Sequence, residues 1–241
     1  MMPMRLLDLT LPTPVENLAL DEALLLAAEE GHGCEVLRLW ELPALAVVVG
    51  SGGSVEIDVN TTNCEADGVP VLRRASGGGT VLLGPACLCY SLILGYDHTA
   101  GLNEIPASNR YVLGRIRQAL RSILPALTVE GTSDLAIDGV KFSGNAQQRK
   151  RRHFLHHGTL LCGCDLTLLA KYLNAPERQP DYRRNRSHAE FVTNLPATTA
   201  DVKRLLIQEW EAEGEYEPLP WEAVQRLVEE KYSRPEWNRR R

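Results

Sequence analysis

Apolar and polar positions along this chain change period several times, and each change marks an element. Between Val15 and Glu30, Leu18, Ala19, Ala23, Leu25 and Leu26 form a wide apolar stripe at helical spacing. Glu16, Asn17, Asp21, Glu22, Glu29 and Glu30 cover the other side, and Pro14 suits the first turn. Short apolar runs predict strands at Arg5 to Thr10, Val36 to Trp40, Leu45 to Gly50, Val69 to Arg73, Cys87 to Leu94 and Phe154 to Leu161. A turn at Pro43 joins the second and third of these.

Ser108 is placed to cap a helix running to Leu124, with Val112, Ile116, Ala119 and Ile123 on one face. Val129 to Gly144 reads as short strands and turns, with Asp138-Gly139 as a hairpin signal. Asp165 to Leu173 is a further helix, and Pro176 to Pro196 reads as a mobile connector. Two helices follow. Thr198-x-x-Asp201 resembles a capping box ahead of Val202, Leu205, Leu206 and Trp210, and the last helix runs from Trp221 to Lys231. Hairpin signals outnumber clean strand–helix–strand units. The expected fold is therefore α+β, a mixed, mostly antiparallel sheet flanked by helices, not a doubly wound dinucleotide fold.

The 241 residues suit one domain, or one large domain with an appendage, and need no disulfide or metal staple. A net charge of -5 argues against nucleic acid as a partner. Basic residues still cluster at Arg149 to Arg152 and at Arg183, Arg184 and Arg186. They read either as solvated loops or as a docking surface for phosphates or an acidic protein. No run approaches the roughly 18 apolar residues of a membrane helix, and Met1 to Asp8 carries no secretory pattern. The expected location is cytoplasmic, with no membrane partner.

Six cysteines then need a role other than disulfides. Cys87/Cys89 and Cys162/Cys164 are spaced Cys-x-Cys. A zinc site with His153, His156 and His157 is one reading, but the usual spacing of structural zinc ligands is absent. Buried free thiols are the preferred reading, and no metal ligand is assigned.

Candidate chemistry concentrates in two stretches. Arg73-Arg74-Ala75-Ser76-Gly77-Gly78-Gly79-Thr80 offers two guanidinium groups followed by nearly bare backbone. Three glycines alone mean a turn. Beside arginine, their N–H groups can form an anion nest, and each charged hydrogen bond contributes about 1.5–3 kcal/mol. The spacing fits neither a Walker loop nor a dinucleotide fingerprint. In the second stretch, Asp138 to Ala146, Gly139 and Gly144 bracket Lys141. A compact ammonium stabilises charge that develops on phosphorus during substitution. His156-His157-Gly158-Thr159 supplies either a structural hydrogen bond or a donor lining the site. Asp134 suits a ribose, an adenine amine or magnesium, and these stay open. Brought together, the two stretches would hold a phosphate-bearing anion with a lysine at the reacting atoms, as activation of a carboxylic acid requires.

In this order, the segments resemble the lipoate–protein ligase A family of the biotin/lipoate ligase superfamily. The resemblance rests on Asn17 to Leu24, Trp40 to Gly50, Arg73 to Val81, Ser133-Asp134-Leu135, Lys141 to Gln147, His156 to Leu161, and Tyr182 to His188 running into Phe191 to Leu195. It covers roughly residues 1–200. It implies a class II synthetase-like catalytic domain over 1–196 and a C-terminal helical extension over 197–241 packed on it. It also implies ATP and Mg2+, with lipoate as substrate: lipoyl-AMP forms first, and the lipoyl group then passes to an acceptor lysine. Lys141 would bridge the carboxylate and the α-phosphate. Arg74, Ser76, Gly77, Gly78, Gly79, Thr80, Val81, Leu82, Asp134 and His157 would bind nucleotide or acyl group.

The implied partners are apo-lipoyl domains or the glycine-cleavage carrier protein. A separate accessory-domain polypeptide is a further candidate, because some relatives supply that domain on another chain. Ser51-Gly52-Gly53-Ser54 departs from the polar stretch usual after Gly50. A related branch, the octanoyl and lipoyl transferases, uses a cysteine thiolate and no ATP. Where those proteins place the thiol, this chain has His153-Phe154-Leu155 or Glu130-Gly131-Thr132-Ser133. Adenylation is the preferred reading, acyl transfer without ATP the second, and a non-catalytic acyl- or nucleotide-binding protein the third.

Overall fold

The computed structural model describes residues 4–240. Residues 1–3 and 241, which the two expected segments include, lie outside the described residues. In chain order the strands are β1 (Arg5–Asp8), β2 (Val36–Trp40), β3 (Ala46–Val49), β4 (Val71–Arg73), β5 (Val81–Leu83), β6 (Cys87–Gly95), β7 (Leu127–Glu130), β8 (Asp134–Ile137), β9 (Val140–Arg149) and β10 (His153–Leu161). The helices are α1 (Pro14–Glu30), α2 (Val55–Asp58), α3 (Thr61–Ala66), α4 (Ile105–Leu120), α5 (Thr167–Tyr172), α6 (His188–Phe191), α7 (Thr199–Trp210), α8 (Trp221–Leu227) and α9 (Pro235–Asn238).

A seven-stranded sheet, ordered β1-β2-β6-β10-β9-β8-β7, is antiparallel except for its β1–β2 edge. A three-stranded sheet, β4-β3-β5, lies beside it, with β3 parallel to β4 and antiparallel to β5. This is the mixed, mostly antiparallel α+β architecture that the hairpin signals predict. The bend at Pro43 carries the chain from the large sheet to the small one. β2 and β6 are buried along their whole length, so both faces of the large sheet are covered. Alternate residues serve two cores: Leu37 and Leu39 join the one under α4 and α7, and Val36 and Trp40 the one under α1.

Helix α1 opens with a capping box between Thr13 and Glu16 and stops at Gly31, whose φ of 84° is left-handed. Its expected polar side is not wet: Asn17, Asp21 and Glu22 are buried. The helix is sandwiched between the sheet and α8, so its polar groups need internal partners. Arg38 of β2, itself fully buried, meets Asp21 at 2.5 Å and Asn17 Oδ1 at 2.6 Å. Ser108 does not cap α4. The helix opens one turn earlier, where Pro106 presets φ, and the Ser108 hydroxyl donates back to Glu104 O at 3.1 Å.

The segment expected to be a mobile connector is pinned down. Arg183 and Arg186 both stack on Phe191, at 4.8 and 5.2 Å. Arg186 donates to Gly139 O at 2.7 Å, and Thr193 N–H donates to Lys141 O at 2.8 Å. Only the three-dimensional arrangement supplies these partners; composition does not announce them. Beyond residue 196, α7 packs on α4 and β2, α8 on α1, and α9 on β4. Thr198 caps α7 through the Asp201 N–H. The last long helix is α-helical only to Leu227, then widens into a π turn over Val228–Tyr232. No helix among the described residues is long and apolar enough to cross a membrane.

Candidate active site

The turn between β8 and β9 sets the lysine. Asp138 and Gly139 have φ of 50° and 72°, as a type I′ hairpin requires. A register shift at Leu135/Ala136 follows, and Lys141 Nζ comes to 2.8 Å from Asp134 Oδ1. Gly144 makes room: a Cβ there would lie 2.9 Å from Lys141 Nζ. The other Asp134 oxygen accepts the Tyr182 hydroxyl at 2.7 Å. Burial and the neighbouring Asp134 push that phenol's pKa well up.

The glycine loop joins β4 to β5. Arg74 is its internal scaffold: Nε donates to Ser76 Oγ at 3.0 Å, Nη1 to Val48 O at 3.1 Å, and Nη2 to Gly77 O and Gly79 O at 2.6 and 2.7 Å. Burial lowers its pKa to about 10, so it stays charged at neutral pH. Gly78 has a φ of 86°, and a Cβ on Gly50 would sit 2.0 Å from Gly78 O. The 50–53 turn therefore lies directly against the loop. Arg73 points the other way and donates to Gly50 O and Gly53 O at 2.9 and 2.7 Å. It does not line the cavity described below, so the expected pair of arginines splits into two different tasks.

His157 joins the loop to the core. Its Nε2 is 2.6 Å from Ser76 Oγ and its Nδ1 3.3 Å from Asp21 Oδ2. Ser91 also donates to Asp21, at 2.7 Å. Burial raises the Asp21 pKa, but Arg38, His157 and Ser91 together outweigh it, and the net shift is down. Next to it, His156 is fully buried, and burial lowers its pKa to about 3, so this imidazole is neutral.

These groups surround one cavity of about 170 Å³. Of the residues singled out in the sequence, Arg74, Gly78, Gly79, Thr80, Val81, Asp134, Lys141 and His157 line it. Leu18, Trp40, Val48, Leu83 and Cys89, members of one core cluster, form an apolar wall. Three expected residues stand back. Ser76 and Gly77 lie behind Arg74, which holds the Ser76 hydroxyl and the Gly77 carbonyl. Leu82 faces away, with Val47 and Val49, because neighbours on β5 alternate.

Among the described residues, no group of three or more His, Cys, Asp or Glu is placed to hold a metal. Among the described residues Asp134 is the one carboxylate lining the cavity, and both of its oxygens are engaged. This donor set does not form a magnesium site of the protein's own. Three of the thiols are not activated either: burial pushes Cys162 up to about 12, and Cys87 and Cys164 are also raised, Cys164 by its hydrogen bond with Cys87 and by burial.

Residues 13–211 match the lipoyl protein ligase A/B catalytic domain family. The chain belongs to this family. A probable lipoate-protein ligase A of Mycoplasma pneumoniae is 37% identical over 161 residues, 67% of this chain and 46% of that protein. The chain spans about half the length of the curated relatives it matches. A crystal structure of lipoate-protein ligase A bound with ATP superposes with a TM-score of 0.85 at 23% identity, covering 99% of each chain. A structure of a bi-partite lipoate protein ligase and its E2 lipoyl domain, from Thermoplasma acidophilum, gives 0.83 at 24% identity, covering 99% of this chain and 97% of that one. These likenesses show that the fold is the lipoate-ligase fold.

On this ligase-family fold, Asn145 is a polar lining residue that the sequence reading did not assign to the site, as it did not assign the apolar wall. Its Nδ2 donates to Ser133 O at 2.7 Å, and its Oδ1 accepts the Tyr90 hydroxyl at 2.5 Å. A Cβ on Gly158, its register partner on β10, would lie 1.8 Å from that Oδ1. The available signal was a glycine facing a polar residue across a strand pair.

Proposed function

We propose that this chain activates lipoate with ATP and transfers the lipoyl group to a lysine of an apo-lipoyl domain. One observation carries the reading: Lys141, held by Asp134, and the glycine loop, held by Arg74, line the same cavity as an apolar wall. A carboxylate on an apolar tail and a nucleotide phosphate are the groups such a cavity suits. The names of the relatives, lipoate-protein ligases, and the fold shared with an ATP-bound ligase support the same substrates.

In the first step a lipoate oxygen bonds to the α-phosphorus and the bond to the β-phosphate bridging oxygen breaks, releasing pyrophosphate. Lys141 offsets the charge that gathers on the phosphoryl oxygens, and the glycine loop lines the same cavity. In the second step the acceptor amine attacks the acyl carbon, the bond to AMP breaks, and the amine proton leaves to solvent. The apolar wall holds the acyl chain away from water. Magnesium belongs to the nucleotide in this scheme, since the described residues supply no cage for it. The acceptor is a lipoyl domain of a dehydrogenase complex or the glycine-cleavage carrier. A separate accessory polypeptide is a further partner on this reading, after the bi-partite ligase that shares the fold.

Incubation with ATP, magnesium, lipoate and an apo-lipoyl domain, followed by intact mass, tests the reading directly. The expected result is one lipoyl addition, with lipoate-dependent ATP–pyrophosphate exchange. Lys141→Ala is expected to slow exchange about 10²–10³-fold. Cys89→Ala, Cys162→Ala and Cys164→Ala are expected to keep it. Acyl transfer from a carrier without ATP, lost in a cysteine variant, would replace this reading with the transferase.

A further inference from the structure

The edge of the small sheet is completed by two side chains. β4 pairs with β3 on one side only. Along that pairing Arg74 N–H faces inward, to Val49 O at 3.0 Å, so the N–H and C=O of Arg73 face off the edge. Both are taken by the C-terminal segment. Asn238 Oδ1 accepts the Arg73 N–H at 2.9 Å, and Trp237 Nε1 donates to Arg73 O at 2.8 Å. An amide and an indole stand where a fourth strand would supply its backbone.

The Arg73 side chain closes the same clasp. Its Nε donates to Trp237 O at 3.1 Å and its Nη2 to Arg240 O at 2.5 Å, while Nη1 holds Gly50 O and Gly53 O. Arg240 covers the Trp237 ring at 3.8 Å and donates to Ser51 O at 3.0 Å. The segment is itself moored to α1: Lys231 and Tyr232 both reach Glu22 Oε2 at 2.7 Å, and Asn238 Nδ2 donates to Tyr232 O at 2.9 Å. A continuous chain of bonds thus runs from α1 through residues 231–240 to the 50–53 turn and to β4, one residue before Arg74. The glycine loop rests on both: Gly78 O lies against Gly50, and Ser51 N–H donates to Ser76 O at 2.8 Å. These C-terminal residues lie outside the 13–211 family match.

We propose that Trp237 and Asn238 are positioning residues for the glycine loop, setting the anion-binding geometry at a distance from the reacting atoms. The inference rests on the reading of the cavity as an ATP site for its kinetic consequence, but not for its structural one. Neither residue lines the cavity, so each acts through β4 and the 50–53 turn. Loss of either removes one of the bonds that hold the Arg73 backbone and frees the loop to sample other positions.

Native-state hydrogen exchange and steady-state kinetics on Asn238→Ala, Trp237→Phe and Asn238→Asp test this together. Asp keeps the acceptor for the Arg73 N–H; Phe keeps the ring but removes the indole donor. Asn238→Ala and Trp237→Phe are expected to exchange the Arg74 and Ser51 amides about tenfold faster, with amides of α4 unchanged. The KM for ATP rises about tenfold, the KM for lipoate holds, the melting temperature falls by no more than about 2–4 °C, and Asn238→Asp restores most of the wild-type value. Unchanged exchange at Arg74 and Ser51 overturns the proposal. So does a uniform loss of exchange protection and of both KM values, which would mark ordinary structural support. Faster exchange confined to these two amides, in a protein whose wild type forms no adenylate, upholds the positioning role and removes the ATP reading instead.

Discussion

The two walls of the cavity are held by different means. Lys141, Asp134, Asn145 and His157 belong to β8, β9 and β10, whose positions follow from strand register. The glycine loop leaves the small sheet from an edge strand and is held by side chains, Arg74 from within and Arg73 with the C-terminal segment from behind. A wall set by register shares its load among many backbone bonds. A wall set by single guanidinium groups stands or falls with each of them. The glycine-loop half of the site should therefore be the fragile half.

The sharpest way to break this comparison is Arg74→Ala. It strips the donor from three carbonyls, the buried one of Val48 and the part-buried ones of Gly77 and Gly79, and should cost about 3 kcal/mol. Urea denaturation would read this, and Arg74→Lys should recover little, because one ammonium cannot span the fork. An effect smaller per pH unit comes from acid, through the sheet wall. His156 binds a proton at about 6.5 when unfolded and only near 3 when folded. Between those values the unfolded chain holds the extra proton, so stability falls as pH drops, by up to about 1.4 kcal/mol per pH unit. His156→Gln should flatten that limb of a stability–pH curve. Asp21 acts lower: with its pKa depressed below 3.8, its contribution is full above that value and is lost as pH falls through the folded one. The smallest expected effect is Tyr182→Phe. Asp134 loses one hydrogen bond but keeps Lys141, so stability should change by about 1 kcal/mol and exchange activity by several-fold at most. A loss as large as that of Lys141→Ala would mean that the register of β8 and β9 does not fix the lysine unaided.

Much of the lysine side of the site was legible because it is local. Asp138-Gly139 announces its hairpin, and glycines flank Lys141 at positions where backbone or side chain needs the space. The loop side was legible as a place but not as an arrangement. Arg73 and Arg74 are adjacent on an extended segment, so they must diverge, yet nothing nearby says which one turns toward the cavity. Its partners, Val48, Trp237 and Asn238, are distant in sequence. Leu82 could have been separated from Val81 and Leu83 by strand alternation alone. The burial of Asp21 and Glu22 could not, because it depends on Arg38 and on Lys231 and Tyr232, which meet α1 only after folding.

The large and small sheets share no strand pairing, and the cavity lies where they face one another. Any molecule seated there touches both, and so acts as mortar between two separately woven panels. Occupancy should then make the two panels melt as one, so that calorimetry of the loaded protein gives a narrower and later transition than that of the empty protein.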